Sequence, residues 1–319
     1  AALYGSRAGN GVVLITTKRS KAGETQIQLD VSHGFGQIPD RGRPDLMNAK
    51  EFLQFQKELY EDRIRYEGYK GEIPEIYQNP EQYTGKSTDW YEVLLRNTAV
   101  KRYNVNIAAG KDKFNSSTTV GYFKEEGAVL NTGFERYSIR SNNEFKVSKN
   151  ISTGFSVAPT FQRSQNFQTD GDFQLLYSAL STPPIFSPFD THADGSQKLI
   201  FAAPGTFTQP NWYRTLTEST NRLKSTRLLS NAFAEFQFLE GLKFKTSVSL
   251  DLSANNQRAF KPSTVGTASN SNLPPNMATA SYNTAFYYSW LTENTLNYEK
   301  TFAQDHTIDV LAGYSAQKF

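Results

Sequence analysis

The chain has 319 residues, with 34 lysines and arginines against 31 aspartates and glutamates, for a formal net charge of +3. This near balance gives no support to a nucleic-acid partner, and the absence of cysteine excludes disulfides and thiolate metal sites. No apolar run approaches the roughly 18–20 residues of a membrane helix. Membrane-crossing β-strands remain allowed, because they are apolar only at alternate positions.

The first stretch, residues 1–19, predicts a helix end, a sharp turn and a strand. Gly5, Gly9 and Gly11 allow positive φ in the turn, and the apolar, β-branched run at 12–17 predicts the strand. A phosphate-binding loop needs the reverse order, with the strand before the helix. We therefore favour a tight packing corner. Because there is no signal peptide and this corner begins at Ala1, we expect the sequence to be an internal piece of a longer protein.

Alternating apolar and polar residues predict about nine strands along the rest of the chain. They cover 25–35, 100–109, 117–125, 136–147, 151–162, 225–238, 242–256, 281–298 and 306–319. Most of them have the 9–11 residues or more that cross a bilayer at a tilt. We expect the apolar faces, such as Ile27 with Leu29, to meet lipid. The polar faces suit a wet interior, with Arg136, Arg140, Glu144, Lys243, Lys245 and Asp251.

Three long connections, 36–99, 163–221 and 257–280, separate some of these strands. The first contains an amphipathic helix at about 48–66, which Asn48 can cap with Glu51 at the third position. It also contains a short helix at 88–96, whose Trp90 we expect to pack the loop onto the rim rather than bind a ligand. A further short helix is predicted near 172–180.

Short and long connections alternate along the chain, so that all long loops fall at one end of the strands. Transmembrane barrels have this arrangement, with tight turns on one side and long loops on the other. A sandwich or a propeller has no reason to show it. A single strand would equally suit a soluble antiparallel sheet with one wet face, and it is the alternation of loop lengths that favours the barrel.

Several motifs carry a resemblance to a known family. The runs ALYGSRA at 2–8 and NGVVLITTK at 10–18 resemble the end of the plug domain in SusC/RagA-type TonB-dependent outer-membrane receptors. The runs PDLMNAKEFL at 44–53, TDWY at 88–91, GYFKEEG at 121–127 and NTGFERYS at 131–138 resemble the early barrel of the same family. Beyond about residue 162 the likeness lies in pattern and not in motif.

The resemblance implies an all-β fold, a transmembrane antiparallel β-barrel that follows the C-terminal end of a plug domain. Residues 1–24 would end the plug, and residues 25–319 would form the N-terminal part of the barrel. Such barrels have about 22 strands, so we expect the missing strands beyond Phe319. Four residues are assigned to plug structure, and Arg7 is a candidate for a plug-to-barrel ion pair: Tyr4, Gly5, Arg7 and Gly11.

The family also implies a function, which is TonB-dependent import of oligosaccharides or oligopeptides across the outer membrane of a Gram-negative bacterium. Its expected partners are a SusD-like surface lipoprotein that acts as a lid, outer-membrane lipid, and the TonB complex, whose contact segment would lie before Ala1. No cofactor is implied. Trp212, Tyr213 and Arg214 in the longest loop are candidates for ligand or lid contact, because aromatic faces suit sugar rings; loop packing is the competing interpretation.

Two other classes of function compete with this one. A surface-binding or adhesion β protein without transport would stay monodisperse without detergent. An enzyme is disfavoured, because the sequence shows neither paired carboxylates at a persuasive spacing nor a nucleophile with a base. His192 and Asp194 lie in a polar loop where simple solvation is expected.

Overall fold

The computed structural model describes residues 23–41, 43–167, 175–265, 277–302 and 306–319. The plug motif at 2–18, with Tyr4, Gly5, Arg7 and Gly11, lies outside the described residues. The beginning of the helix predicted near 172–180 lies outside them too. Predictions for these positions stay predictions.

Nine strands form one antiparallel sheet in which each strand pairs with the next one along the chain. This confirms the predicted number of strands and the all-β class. The strands are β1 (Gly23–Gly36), β2 (Thr98–Lys111), β3 (Phe114–Glu126), β4 (Gly133–Lys146), β5 (Ile151–Gln165), β8 (Thr220–Leu239), β9 (Leu242–Lys261), β10 (Thr279–Phe302) and β11 (His306–Lys318). A separate two-stranded ladder, β6 (Ile200–Phe201) with β7 (Gln209–Pro210), lies in the connection between β5 and β8.

The strands are longer than alternation predicted. β8 and β9 have 20 residues each and β10 has 24. At about 3.3 Å per residue, such strands reach well beyond an apolar band of about 25 Å. Outside that band both faces are polar, so the alternation ends before the ladder of hydrogen bonds does.

The register shows which side chains share a face, because directly opposite residues of a ladder lie on the same side. Ile27 is opposite Ile107, and Val120 lies between Val105 and Ile139. Followed across the sheet, this face is apolar and includes Leu29, Val31, Phe35, Phe145, Phe155, Leu228, Phe236, Phe244, Leu252, Leu296 and Val310. The other face is polar and holds all six charged residues predicted for the wet interior: Arg136, Arg140, Glu144, Lys243, Lys245 and Asp251.

Neither face of the nine-stranded sheet carries a conventional core. Ile27 is 71% exposed and Phe35 is 90% exposed on the apolar face. Within the described residues, every buried apolar side chain belongs to the connections or to the small β6–β7 ladder. These are Ala49, Leu53, Tyr60, Tyr77, Trp90, Leu94, Leu175, Ala179, Phe201, Ala203, Leu216 and Val265. The sheet is therefore built as a wall, and a soluble half-buried sheet is not what the chain forms.

Five α-helices occur in the described part of the chain, and all lie in connections. They are α1 (Ala49–Tyr66), α2 (Glu75–Gln78), α3 (Trp90–Leu94), α4 (Leu175–Ser181) and α5 (Trp212–Glu218), with a 3₁₀ turn at Pro80–Gln82. The predicted cap of α1 is confirmed: Asn48 accepts hydrogen bonds from the backbone of Lys50 and Glu51, and the Glu51 carboxylate accepts one from the backbone of Asn48. No described helix has the length and apolar character required to cross a membrane.

The predicted alternation of connection lengths is confirmed. Residues 37–97, 127–132, 166–219 and 262–278 join strands at one end of the sheet, which we call the long-loop end. Residues 112–113, 147–150, 240–241 and 303–305 join them at the other end. Most residues outside the nine strands therefore lie at the long-loop end.

Candidate functional site

The described residues of the connections 37–97, 127–132 and 166–219 pack together into one structure, which we call the loop layer. Trp90 is at the centre of its larger cluster and is 2% exposed. Its ring centroid lies 5.3 Å from that of Phe201, and its Nε1 donates a hydrogen bond of 3.4 Å to the carbonyl of Pro183. Leu94, Leu175, Ala179 and Leu216 complete the buried cluster. The prediction that Trp90 packs a loop is confirmed.

A second cluster in the loop layer surrounds Tyr77, which is fully buried. Leu53 and Tyr60 from α1 pack against its ring, and Ile185 reaches the cluster from the connection 166–219. The Tyr77 hydroxyl donates a hydrogen bond of 2.8 Å to the carbonyl of Pro204. Burial, with a smaller contribution from Tyr60, raises the pKa of Tyr77 to about 12, so the hydroxyl stays protonated as a donor.

Hydrogen bonds between distant segments unite the loop layer. The backbone N–H of Thr88 donates to the carbonyl of Pro184 at 2.9 Å. The Asn131 amide donates to the carbonyl of Leu216 at 2.8 Å. Asn131 has φ 58°, in the left-handed region that asparagine tolerates better than most residues. Connections that are far apart in sequence are thus held as one unit.

The three candidate contact residues lie on α5, although the sequence indicated a loop there. The side chain of Asn211 caps the helix by accepting from the backbone of Arg214. Trp212 and Tyr213 are half-buried and pack against the Trp90 cluster. A helix this short has little intrinsic stability, so it forms because this face is buried, and periodicity over seven residues could not reveal it.

Arg214 has strong partners inside the loop layer. Its guanidinium forms an ion pair of 2.5 Å with Glu218 one helical turn further and also donates to Gln197. Its side chain is only 15% exposed. Packing and ion pairing account for Trp212, Tyr213 and Arg214, and their role in ligand or lid contact stays a prediction.

A cleft of about 580 Å³ opens between two connections of the loop layer. Residues 43–48 and 87–91 line one side, and residues 179–184 line the other. Leu46, Met47 and Leu180 leave apolar surface at this cleft. Clefts that combine apolar walls with a few polar groups are the usual form of binding sites.

Helix α1 presents a second unpartnered surface, which we call the α1 stripe. Phe55, Leu59 and Tyr66 share one side of the helix and are 45%, 39% and 74% exposed. Leu53 and Tyr60, about a third of a turn away around the helix, are buried against Tyr77. The helix therefore uses one apolar side for packing in the loop layer and leaves another exposed.

The polar face of the sheet carries neutral hydrogen-bonding groups among charged side chains of both signs. A groove of about 290 Å³ near its middle is floored by small residues such as Ser156, Ala158 and Ser289. Beside it Arg227 and Asp251 form a two-pronged ion pair with distances of 2.9 and 2.6 Å.

The described residues contain no group of three or more His, Cys, Asp and Glu side chains that could hold a metal ion. His192 and Asp194, weighed as possible catalytic groups, are in a tight turn. Asp194 accepts hydrogen bonds from the Ser196 hydroxyl at 2.6 Å and from its backbone N–H at 2.9 Å, and these bonds lower the pKa of the carboxyl group. Gly195 in the turn has φ 83°. Turn structure therefore explains the Asp194 carboxylate, and His192 takes part in the turn through its backbone N–H and carbonyl.

Comparison with known proteins gives consistent results. No protein-family model matches the chain. It is 26% identical over 99% of its length to TonB-dependent receptor P3 of Formosa agariphila, and it is 24% identical over 77% of its length to TonB-dependent receptor SusC of Bacteroides thetaiotaomicron. The chain spans 29% and 25% of these two relatives.

Solved structures of the RagAB peptide importer share the fold. In its closed-closed state the match covers 99% of this chain and 38% of the solved chain, with a TM-score of 0.73 and 19% identity. In its open-open state the TM-score is 0.71. The resemblance to SusC/RagA-type TonB-dependent receptors is therefore confirmed over nearly the whole chain, and its nine-stranded sheet is a segment of their antiparallel β-barrel wall.

Proposed function

We propose that the protein imports a nutrient across the outer membrane of a Gram-negative bacterium as a TonB-dependent transporter. The observation that carries this proposal is the two-faced sheet, which is apolar and exposed on one side and polar on the other. Such a sheet suits a wall between lipid and a wet interior. The relatives named as TonB-dependent receptors and the RagAB peptide importer support the direction of this inference.

The substrate class that we propose is a neutral or weakly charged polymer, an oligosaccharide or an oligopeptide. The polar face carries many amide and hydroxyl side chains, among them Asn104, Asn106, Ser156 and Asn231. These groups both donate and accept hydrogen bonds, as hydroxyl-rich sugars and peptide backbones require. Trp212, Tyr213 and Arg214 remain candidates for contact with such a substrate or with the lid.

The partner that we propose at the loop layer is a SusD-like lipoprotein lid. The α1 stripe and the cleft between 43–48 and 179–184 supply apolar surface at the long-loop end. Exposed aromatic and aliphatic residues on an ordered surface are typical of a protein contact. We also propose the division into a plug end at 1–24 and a barrel segment at 25–319, with energy coupling through TonB.

Uptake by whole cells tests the transport proposal. A strain that lacks the gene is complemented with the full-length protein and given fluorescent oligosaccharide and oligopeptide pools, with and without an ionophore that collapses the proton-motive force. We expect one pool to accumulate only while the gradient is intact. Accumulation that ignores the gradient would contradict the proposal, and a strain with the empty vector is the control.

The alternative is a surface-binding protein without transport. It predicts that cells retain the labelled pool on their surface and that protease treatment of intact cells releases it. Import predicts a label that is protected inside the cell. The receptors and importer named above give no support to an enzyme.

A further inference from the structure

The apolar face of the sheet has aromatic rows at two heights. Tyr103, Tyr122, Tyr137 and Phe161 lie directly opposite one another on β2 to β5, near the long-loop end. Phe114 lies opposite Phe145 toward the short turns. The eight residues from Phe114 to Tyr122 correspond to about 26 Å along the strand, or about 20 Å of height at a tilt of about 40°. This height is somewhat less than the apolar band of about 25 Å that aromatic girdles flank in membrane barrels.

Immediately beyond the upper aromatic row, the same face becomes cationic. We call this set the outer cationic row, and it consists of Lys101, Lys124, Arg163 and Lys224, followed one step further out by Arg222 and Arg258. Its members lie on the outward side, because each shares a face with the apolar residues of its own strand. Lys101, Arg163, Arg222, Lys224 and Arg258 are exposed.

The cations are arranged as like-charged pairs. Lys101 is directly opposite Lys124, Arg163 is directly opposite Lys224, and Arg222 is directly opposite Arg258. Like charges in directly opposite positions destabilise a sheet. Three such pairs on one face are costly unless an anion lies between them.

Two carboxylates on this face, Glu126 and Glu135, neutralise only part of this charge. Glu126 contacts Lys124 only at 3.9 Å. Glu135, which lies between Lys124 and Arg163 in the register, accepts hydrogen bonds from Tyr122 and Tyr137 at 3.0 and 2.8 Å. Within the residues that the structure describes, no carboxylate forms an ion pair with Arg163 or Lys224. Against the six cations, these two carboxylates leave the face net positive at this height, and this remaining charge is available to a ligand.

The polar face shows a different arrangement at the same height. Arg102 and Arg136 lie there on either side of Phe123, and both guanidinium groups are stacked near its ring, at 5.5 and 5.6 Å from the centroid. The intervening ring keeps these two cations from being directly opposite. Direct pairing of cations is thus a feature of the outward face at this height.

We propose that the outer cationic row binds the phosphorylated headgroup of a glycolipid in the outer leaflet of the membrane. Lys and Arg residues close to a membrane surface attract anionic headgroups, and the aromatic row just below places them at headgroup height. A concavity of about 540 Å³ gives the headgroup room, and its lining combines Lys124, Arg163, Arg222 and Lys224 with the carboxylates of Glu125, Glu126 and Glu135. The inference rests on the proposed outer-membrane function, because only there does this face meet lipid.

The test compares two double variants of the full-length receptor. Arg163→Gln with Lys224→Gln removes one cation pair from the row, and Arg102→Gln with Arg136→Gln removes the same charge at the same height on the polar face. Because the Arg163 and Lys224 charges repel each other, their removal is not expected to harm folding. Each receptor is reconstituted in nanodiscs of phosphatidylethanolamine with or without diphosphoryl lipid A, and bound lipid A is measured by native mass spectrometry.

We expect the row variant to bind diphosphoryl lipid A about 25-fold more weakly, which is about fivefold per cation. The control variant should bind diphosphoryl lipid A like the wild type. Binding of dephosphorylated lipid A to the wild type should be as weak as binding of diphosphoryl lipid A to the row variant. Equal binding by the wild type and the row variant would overturn the proposal. Competition by inorganic phosphate at concentrations comparable to those of lipid A would also overturn it, since a free-anion site would then explain the row.

Failure of the proposed function gives a different result. If the full-length protein does not fractionate with the outer membrane, the membrane assignment itself falls. If it does fractionate there and imports its substrate, but the row variant still binds lipid A normally, only the headgroup proposal falls.

Discussion

Replacement of Trp90 by alanine tests whether the loop layer has its own core. Trp90 is 2% exposed and contacts Phe201 from a connection that is more than a hundred residues away in sequence. Its Nε1 also donates to the carbonyl of Pro183. One side chain therefore joins the connection 37–97 to the connection 166–219, and its loss should loosen both together.

The expected cost follows from the burial of the side chain. Truncation of a buried tryptophan to alanine costs about 3–5 kcal/mol, and the hydrogen bond of 3.4 Å adds little because it is long. If the loop layer opens as a unit, this cost raises its open population by at least about a hundredfold. The nine-stranded sheet contains no buried contact with Trp90 and should be unaffected.

Hydrogen–deuterium exchange of the full-length receptor in detergent measures this effect. We expect faster exchange at 88–96, 175–181 and 200–210 and unchanged exchange in β8 and β9. Trp290→Ala is the matched control, because Trp290 lies on the apolar face of β10 and is 37% exposed. Unchanged exchange in α3 and α4 in the Trp90 variant, or equal acceleration in the sheet, would refute a loop layer with its own core.

Three further predictions test other parts of the structure. Val248→Lys, on the apolar face, should destabilise the barrel by about 2–4 kcal/mol, measured by refolding into lipid. Ser247→Lys, on the polar face beside Glu293, is the control and should not destabilise it. Equal effects of the two substitutions would contradict the assignment of the faces. Because the pKa of Tyr77 is raised, its contribution to loop-layer stability is complete below pH 10 and is lost as pH rises through about 12. An alkaline titration followed by hydrogen exchange should show this loss of stability in the wild type and not in Tyr77→Phe. Asn48→Ala removes both side-chain cap bonds of α1 and should cost about 1 kcal/mol, seen as faster exchange in the first turn of that helix only.

Local patterns in the sequence were sufficient to predict the wall. In a strand with one apolar face, an apolar side chain recurs at every second residue. The nine alternating runs in the sequence correspond to the nine strands of the sheet. The cap of α1 was also readable, because Asn48 and Glu51 are only three residues apart. The ends of the strands could not be predicted from the sequence, because β8 to β10 continue as hydrogen-bonded ladders beyond the point where both faces become polar and the alternation ends.

The interior of the loop layer could not be predicted, because its contacts join residues that are distant in sequence. Helix α5 forms where Trp212 and Leu216 find partners on α3 and α4, and no signal within seven residues indicates those partners. The outer cationic row is a similar case. Lys101, Lys124, Arg163 and Lys224 look like scattered surface charges until the register places them side by side.

The distribution of buried side chains has a consequence for how such a protein can work. A wall with no core of its own is stabilised by its ladder of hydrogen bonds and by what lies against its two faces. The loop layer, in contrast, is stabilised internally by Trp90, Tyr77 and their neighbours. Two parts that do not share a core can change independently, since loss of packing in one does not remove packing from the other. The loop layer can therefore rearrange while the wall keeps its register.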